Sequence, residues 1–413
     1  MRISTIQQYN NGVMGLQRNY SNVTRTQEQI STGNRILTPA DDPVASVRLL
    51  QLEQQQGVLE QYNSNLTAAK NSLTQEEVTL QSVTTVLQRV KELVGQAGNG
   101  ALSLDDRKSI AAELAEREDE LLALMNTRNA RGEYLFAGFQ GKSQPFVRQA
   151  DGSYAYMGDE GQRTLQIASS LEVPISDNGR QVFQNALNAG RLTITDTSMP
   201  PAPSDTISGA LVKDEVSFSS FPAGGVQITF DSADPKNYTI TPLPSGTAVT
   251  GRLAEDGDTL VTYGGIGFYV NGTPPASSSF TLAGPGPATS ATASDPSVKT
   301  GILDSISQLR QVLESSTDGR EVRDAVALGL SNVSNGMAGV DLAQGQIGAR
   351  LNVVESSLTD NEDVGLVNKS VQAELRELDY AEALSRLSFQ QLILDASQKS
   401  YVAISRLNLF SKM

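Results

Sequence analysis

Apolar residues recur at heptad intervals from the start of the chain. Ile6, Val13 and Tyr20 form one row, and Tyr9, Leu16, Val23 and Ile30 a second row offset by three, the a/d arrangement of a coiled-coil seam. The last stretch, from about residue 371 to 410, repeats the pattern more loosely through Leu375, Leu378, Leu384, Leu387, Leu394, Tyr401, Ile404 and Leu407, with Gln391 and Gln398 as breaks. The faces between these rows are rich in Asn, Gln, Ser and Thr. An isolated helix of this kind is marginal in water, so each end needs a partner. The candidates are the other end of the same chain, which would seal a monomer, and neighbouring copies.

Proline placement divides the rest. Of the 16 prolines two are Pro39 and Pro43, the others lie between Pro145 and Pro296, and residues 44 to 144 and 297 to 413 have none. Because proline breaks helix interiors, the chain reads as helical outside and irregular or β inside. A long helix is expected from Pro43 to about Val94, with Asp42 as its N-cap and a stripe through Val44, Val47, Leu50, Leu66, Leu73, Leu80, Leu87 and Val94. A proline fits the first helical position because its missing N–H has no intrahelical partner there. Gly95, Gly98 and Gly100 end it, and a second helix is expected from about Leu104 to Arg131, opened by Asp105 and Asp106. Short alternating runs such as Leu165 to Ile167, Val226 to Phe230, Tyr238 to Ile240 and Gly267 to Val270 then mark β structure. Helical patterning resumes near Val298, interrupted by Gly319, Gly329, Gly336, Gly345 and Gly348, which are expected to mark helix ends or close packing.

The expected fold class is α+β: an elongated chain whose two ends form a long helical bundle and coiled coil, with an inserted β-rich outer region. The expected domains are a terminal coiled coil of residues 1–40 and 370–413, a helical bundle of 41–139 and 296–369, and an outer part, 140–295, with possible sub-domains 140–190 and 205–285. A Pro-rich stretch at 199–204 and an Ala-, Ser-, Gly- and Pro-rich stretch at 282–297 bound the second of these.

Composition narrows the function. Hydrophobics are 38% and aromatics 5%, with no Trp, which fits thin cores spread along a long chain. A net charge of -14 argues against nucleic acid as a partner, since phosphate binding needs clustered Lys and Arg. Cys and His are both zero, which removes the commonest metal ligands and general base. The N-terminus has no apolar run of the kind a secretory signal needs, and no later segment approaches a membrane span, so export without a cleaved signal and no membrane insertion are expected.

The chemical motifs are weak. Gly141-Lys142-Ser143 ends like a phosphate loop, but Phe136 stands where the opening glycine is needed. Gly264-Gly265-Ile266-Gly267 lies within a β run. The pair Asp159 and Glu160, and the group Glu255, Asp256 and Asp258, could be paired-carboxylate or calcium sites or, more plainly, turn chemistry. No catalytic, cofactor or metal residue is assigned, and the chain is read as a non-enzyme.

The segments Met1 to Ile30, Gln29 through Pro39-Ala-Asp41-Asp42-Pro43, and Leu87-Gln-Arg-Val-Lys-Glu-Leu93 resemble flagellin and its relatives among the bacterial flagellar axial proteins. Gly132-Glu-Tyr-Leu-Phe-Ala-Gly138, Tyr156-Met-Gly-Asp-Glu-Gly-Gln-Arg163 and Ile175-Ser-Asp-Asn-Gly-Arg-Gln-Val-Phe183 point within that group to the hook–filament junction, or hook-associated protein 3, family. The resemblance fades over roughly 190 to 295. It implies a structural adaptor located on the extracellular flagellum and exported through the flagellar type III apparatus. Its partners would be copies of itself in a ring, the adjoining hook-associated protein, flagellin, and an export chaperone on the C-terminal helix. The expected assembly interface is Ile6, Tyr9, Val13, Leu16, Tyr20, Val23, Ile30, Leu384, Leu387, Leu394, Tyr401 and Ile404, with Pro39, Asp41, Asp42 and Pro43 as the turn between helical shells. The rival readings are a flagellin-type filament subunit and, from another class, a secreted enzyme or adhesin acting through the β region.

Overall fold

The computed structural model describes residues 2–284 and 298–410, and side chains are not described at residues 2–6, 8 and 404–410. Most of the Pro-rich stretch at 282–297 and the side chains of Ile6, Ile404 and Leu407 therefore lie outside the described residues. The chain divides into two compact units, Met1–Leu66 with Glu355–Met413, and Thr67–Val354.

The first unit contains helices α1 (Arg2–Thr32) and α8 (Tyr380–Phe410), the start of α2 (Pro43–Ala97) and the end of α7 (Gly319–Arg376). As expected, Pro43 opens α2 with Asp42 before it, whose Oδ1 accepts the Ala45 amide at 3.0 Å. Helices α1 and α8 pack on each other. Their seam mixes an aromatic contact, Tyr9 on Tyr401 with ring centroids 5.4 Å apart, with hydrogen bonds from Asn19 Nδ2 to Ser397 Oγ at 3.0 Å and from Thr26 Oγ1 to Gln390 Oε1 at 2.8 Å.

In the second unit α2 buries Ala69, Leu73, Leu80, Val83, Leu87, Val90 and Val94 completely, one stripe at helical spacing. Helix α3 (Leu104–Met125) opens with a reciprocal capping box between Ser103 and Asp106. It stops at Met125 and not at Arg131, because the Asn126 side chain pairs with the Phe146 backbone, donating to its carbonyl and accepting from its amide, both at 3.0 Å. Helix α6 (Ile302–Ser315) packs on α3. Helix α7 runs unbroken through four of the five glycines expected to interrupt it, and Gly319 is its first residue. A Cβ at Gly336 would come within 2.5 Å of Ile302, and one at Gly329 within 3.0 Å of Leu309, so these two glycines let α6 approach. Gly345 and Gly348 face open space.

Between the helices lie two hairpins, β1 (Phe146–Arg148) with β2 (Tyr154–Tyr156) and β3 (Thr164–Ala168) with β4 (Leu171–Pro174). They are followed by α4 (Gly179–Phe183) and by β5 (Ala186–Leu187), which pairs with β14 (Lys299–Thr300). Phe136, Phe146 and Phe183 pack edge to face beside them.

The remaining strands are β6 (Thr193–Asp196), β7 (Leu211–Val212), β8 (Val226–Phe230), β9 (Asn237–Pro242), β10 (Val249–Arg252), β11 (Thr259–Tyr263), β12 (Ile266–Val270) and β13 (Ser279–Ala283), with the short helix α5 (Glu215–Phe218) after β7. They form an antiparallel sheet in the order β10-β9-β8-β13-β6 and a second in the order β11-β12-β7. Val226, Ile228, Phe230 and Phe280 of the first meet Val261, Phe268 and Val270 of the second in one core. Alternation along β8 explains why: Val226, Ile228 and Phe230 are buried and Gln227 and Thr229 are not.

Candidate assembly surface and helix joint

Two chain breaks meet inside the first unit. Helix α1 ends at Gly33, which takes φ +70° and returns its amide to Gln29 O at 2.8 Å, the left-handed cap that glycine adopts without penalty. Residues 377–379 separate α7 from α8. The two breaks pair as a short antiparallel bridge: Arg35 N donates to Arg376 O at 2.7 Å, and Leu378 N to Gly33 O at 3.0 Å. Arg35 Nη2 adds a bond to Leu375 O at 2.9 Å, and Asp379 caps α8 by accepting the amides of Ala381 and Glu382.

Asp41 organises the loop. Its carboxylate accepts the backbone amides of Leu37 at 2.9 Å and Thr38 at 3.0 Å, the Thr38 hydroxyl at 3.0 Å, and the Arg25 guanidinium. Burial works against its charge, but the Thr38 and Leu37 amides, the Thr38 hydroxyl and Arg25 together outweigh burial and hold its pKa below the usual carboxylate value. Asp42 faces Arg35 at 3.6 Å and caps α2. Pro39 and Pro43 sit in the same short connection, so the expected turn residues are brought together.

The expected interface residues divide. Val23 is buried; Val13, Leu16, Ile30, Leu387, Leu394 and Tyr401 are half-buried; and Tyr9, Tyr20 and Leu384 are exposed, Tyr20 at 65%. Val44, Val47 and Leu50, expected on the apolar stripe of α2, are exposed, and sequence reasoning passed over Met14, Phe389 and Leu392, exposed apolar side chains of the same unit. The run Leu392-Ile393-Leu394 was the available signal, since three successive apolar residues cannot all face one partner helix. Single exposed apolar residues are ordinary, and several of them on one small helical unit make this surface the candidate for contact with other chains.

The acidic candidates are structural. Asp159 accepts three backbone amides, from Phe139 and Gln140 at 2.9 Å and Gly161 at 2.7 Å, which lowers its pKa. Glu160 pairs with Arg180, and Glu255 with Lys236 and Arg252. Asp258 ties the β region to α7 through Arg320 at 3.1 Å and Arg323 at 2.7 Å. Two carboxylates that sequence reasoning missed are Glu76 of α2 and Glu118 of α3, at 1% and 0% exposure. Each occupies an apolar stripe position, Glu76 between Leu73 and Leu80 and Glu118 between Leu114 and Leu121. A charged residue on such a stripe was the signal.

A family profile described as the bacterial flagellin N-terminal helical region matches residues 3–141. Flagellar hook-associated protein 3 of Salmonella typhimurium is 36% identical over 185 residues, which cover 45% of this chain and 57% of that protein. Its namesake in Escherichia coli is 34% identical over the same length. The chain is thus similar to flagellar hook-associated protein 3 over 185 residues and carries a flagellin-type N-terminal helical region. It spans just over half the length of these curated relatives, 57% of each. Among solved structures, hook-associated protein 3 from Legionella pneumophila superposes with a TM-score of 0.62 at 23% identity, covering 79% of this chain and 98% of that one. FlgL from Xanthomonas campestris gives 0.60 at 22%, covering 78% and 99%. At these identities the structural likeness shows the fold alone, α+β, helical at both ends with a β-rich middle.

Proposed function

We propose that this chain is a non-enzymatic structural adaptor of the bacterial flagellum, joining the hook, through the adjoining hook-associated protein, to the flagellin filament. In this reading copies form a ring through their terminal helices. The inner part is residues 1–40 with 370–413, the next shell 41–139 with 296–369, and 140–295 faces outward. An export chaperone binds the C-terminal helix before secretion by the flagellar type III route. The observation that carries the reading is the α1–α8 pair, whose polar, hydrogen-bonded seam leaves Tyr20, Leu384, Phe389 and Leu392 exposed. Seams closed by Asn, Gln, Ser and Thr have shallow, adjustable contacts, which suits subunits that slide slightly between a curved hook and a straight filament.

Tyr20→Asp with Leu392→Asp tests this, because both side chains are exposed and the monomer keeps its fold. The expected variant is exported in normal amount, yet the cells shed filament subunits into the medium and do not swim. Normal swimming with intact filaments would refute assembly through this face. The rival reading, a flagellin-type subunit, predicts copy numbers per flagellum in the thousands in place of one ring, and quantitative mass spectrometry of sheared flagella separates the two.

A further inference from the structure

Glu76 stands where its helix should carry an aliphatic side chain, and among the described residues no guanidinium pairs with it directly. It is 1% exposed, and its Oε1 accepts the Asp177 amide at 3.0 Å. The Asp177 carboxylate, itself 4% exposed, is gripped by both Arg350 nitrogens at 3.0 Å and by Gln162 Nε2 at 2.5 Å. The other cation near Glu76, Arg163, is engaged by Glu133 at 2.7 Å. Arg131 also acts on Glu133, so Glu76, Asp177 and Glu133 stand among Arg350, Arg163 and Arg131, but the guanidiniums are spent on the other two carboxylates. Asp177 and Glu133 each have a guanidinium in direct contact; Glu76 has none among the described residues. Burying an uncompensated charge is far costlier than burying a neutral acid.

We propose that Glu76 is a proton-held catch: neutral, it fastens the buried segment 175–178 to α2, and its ionisation at alkaline pH releases that segment. The segment has much to release. Ile175 N bonds Arg163 O at 2.8 Å, Gly179 N bonds Phe136 O at 2.9 Å, and Asn178 caps α4. Burial first, then the neighbouring Asp177 charge, push the Glu76 carboxyl up to about 8, against the opposing pull of the Asp177 amide, Arg350 and Arg163. The acid is thus uncharged in neutral surroundings and charged in mildly alkaline ones.

Hydrogen exchange followed by mass spectrometry on the full-length chain tests the catch, reading peptides across 175–183 between pH 6 and pH 9 after correction for intrinsic rates. If the open segment returns Glu76 to an ordinary carboxylate value, wild-type protection falls about a hundredfold across that range. Glu76→Gln keeps the acceptor for the Asp177 amide and cannot ionise, so its protection stays level. Asp177→Asn removes the neighbouring charge and moves the wild-type transition to lower pH, which gives a readout even if Glu76→Gln folds poorly. Parallel pH profiles for wild type and Glu76→Gln, or an unmoved transition in Asp177→Asn, would overturn the proposal.

Discussion

Replacing Asp41 by Ala should loosen the joint between α1 and α2 without unfolding either helix. The carboxylate accepts two backbone amides, one hydroxyl and one guanidinium. The Arg25 partner is 50% exposed and contributes little. The amides of Leu37 and Thr38 lie near the surface, so water replaces part of what they lose. A side-chain cap of this type is worth ~1 kcal/mol, and the charge on the acceptor roughly doubles that. The net loss is about 2 kcal/mol, or about thirtyfold in the population of the open joint. Hydrogen exchange at residues 33–42 reads it directly, with protection falling by that factor and Asp41→Asn intermediate. The pH dependence follows from linkage. Because the folded pKa is lowered, the native state binds its proton more weakly than the unfolded chain, so the contribution is full above the ordinary carboxylate value and disappears as pH falls through the lowered one. Wild-type protection should fall toward acid more steeply than that of Asp41→Ala. A change under about threefold, with parallel acid profiles, would mean that Pro39, Pro43 and the backbone bridge fix the joint alone.

Glu118 is completely buried and accepts from Arg148 and Arg310, each at 2.9 Å, and from the Tyr154 hydroxyl. Glu118→Ala removes the buried acceptor these three groups share, leaving Arg148 to Asp119 and Arg310 to Glu314, and should reduce stability in urea by roughly 3 kcal/mol, with Glu118→Gln milder; a loss below about 1 kcal/mol would show that those remaining partners and water suffice. Gly336→Val forces Cβ toward Ile302, 2.5 Å away, and should cost about 1–3 kcal/mol by overpacking, while Gly345→Ala, in open space within the same helix, should stabilise slightly. Equal effects at the two positions would remove the packing explanation.

Local signals fixed the elements whose causes are local. Pro43 and the capping carboxylate of Asp42 placed the start of α2, and period-two alternation placed the strand Val226–Phe230 to the residue. The end of α3 was misplaced because its cause is remote: Asn126 is claimed by the Phe146 backbone, twenty positions on. The glycines of α7 were legible only as alternatives. A helix tolerates glycine at about 1 kcal/mol each, and whether that cost is met by close packing depends on α6, which supplies Ile302 and Leu309 at two of them.

The heptads carried a further ambiguity. From Leu378 to Leu384 is six residues, a slip of one against the heptad, and the break falls there at 377–379, where the Leu378 amide bonds Gly33 O; the slip alone does not say that the helix ends. Nor does the period say which row meets which helix. On α1, which packs on α8, Val23 is buried and Tyr20, three residues earlier, is exposed. Substitution at Val23 would therefore unpair α1 from α8 before it touched any contact between copies. In the assembly proposed above, Tyr20 and Leu392, both exposed, are the positions where substitution is expected to spare the monomer and disturb contacts between copies.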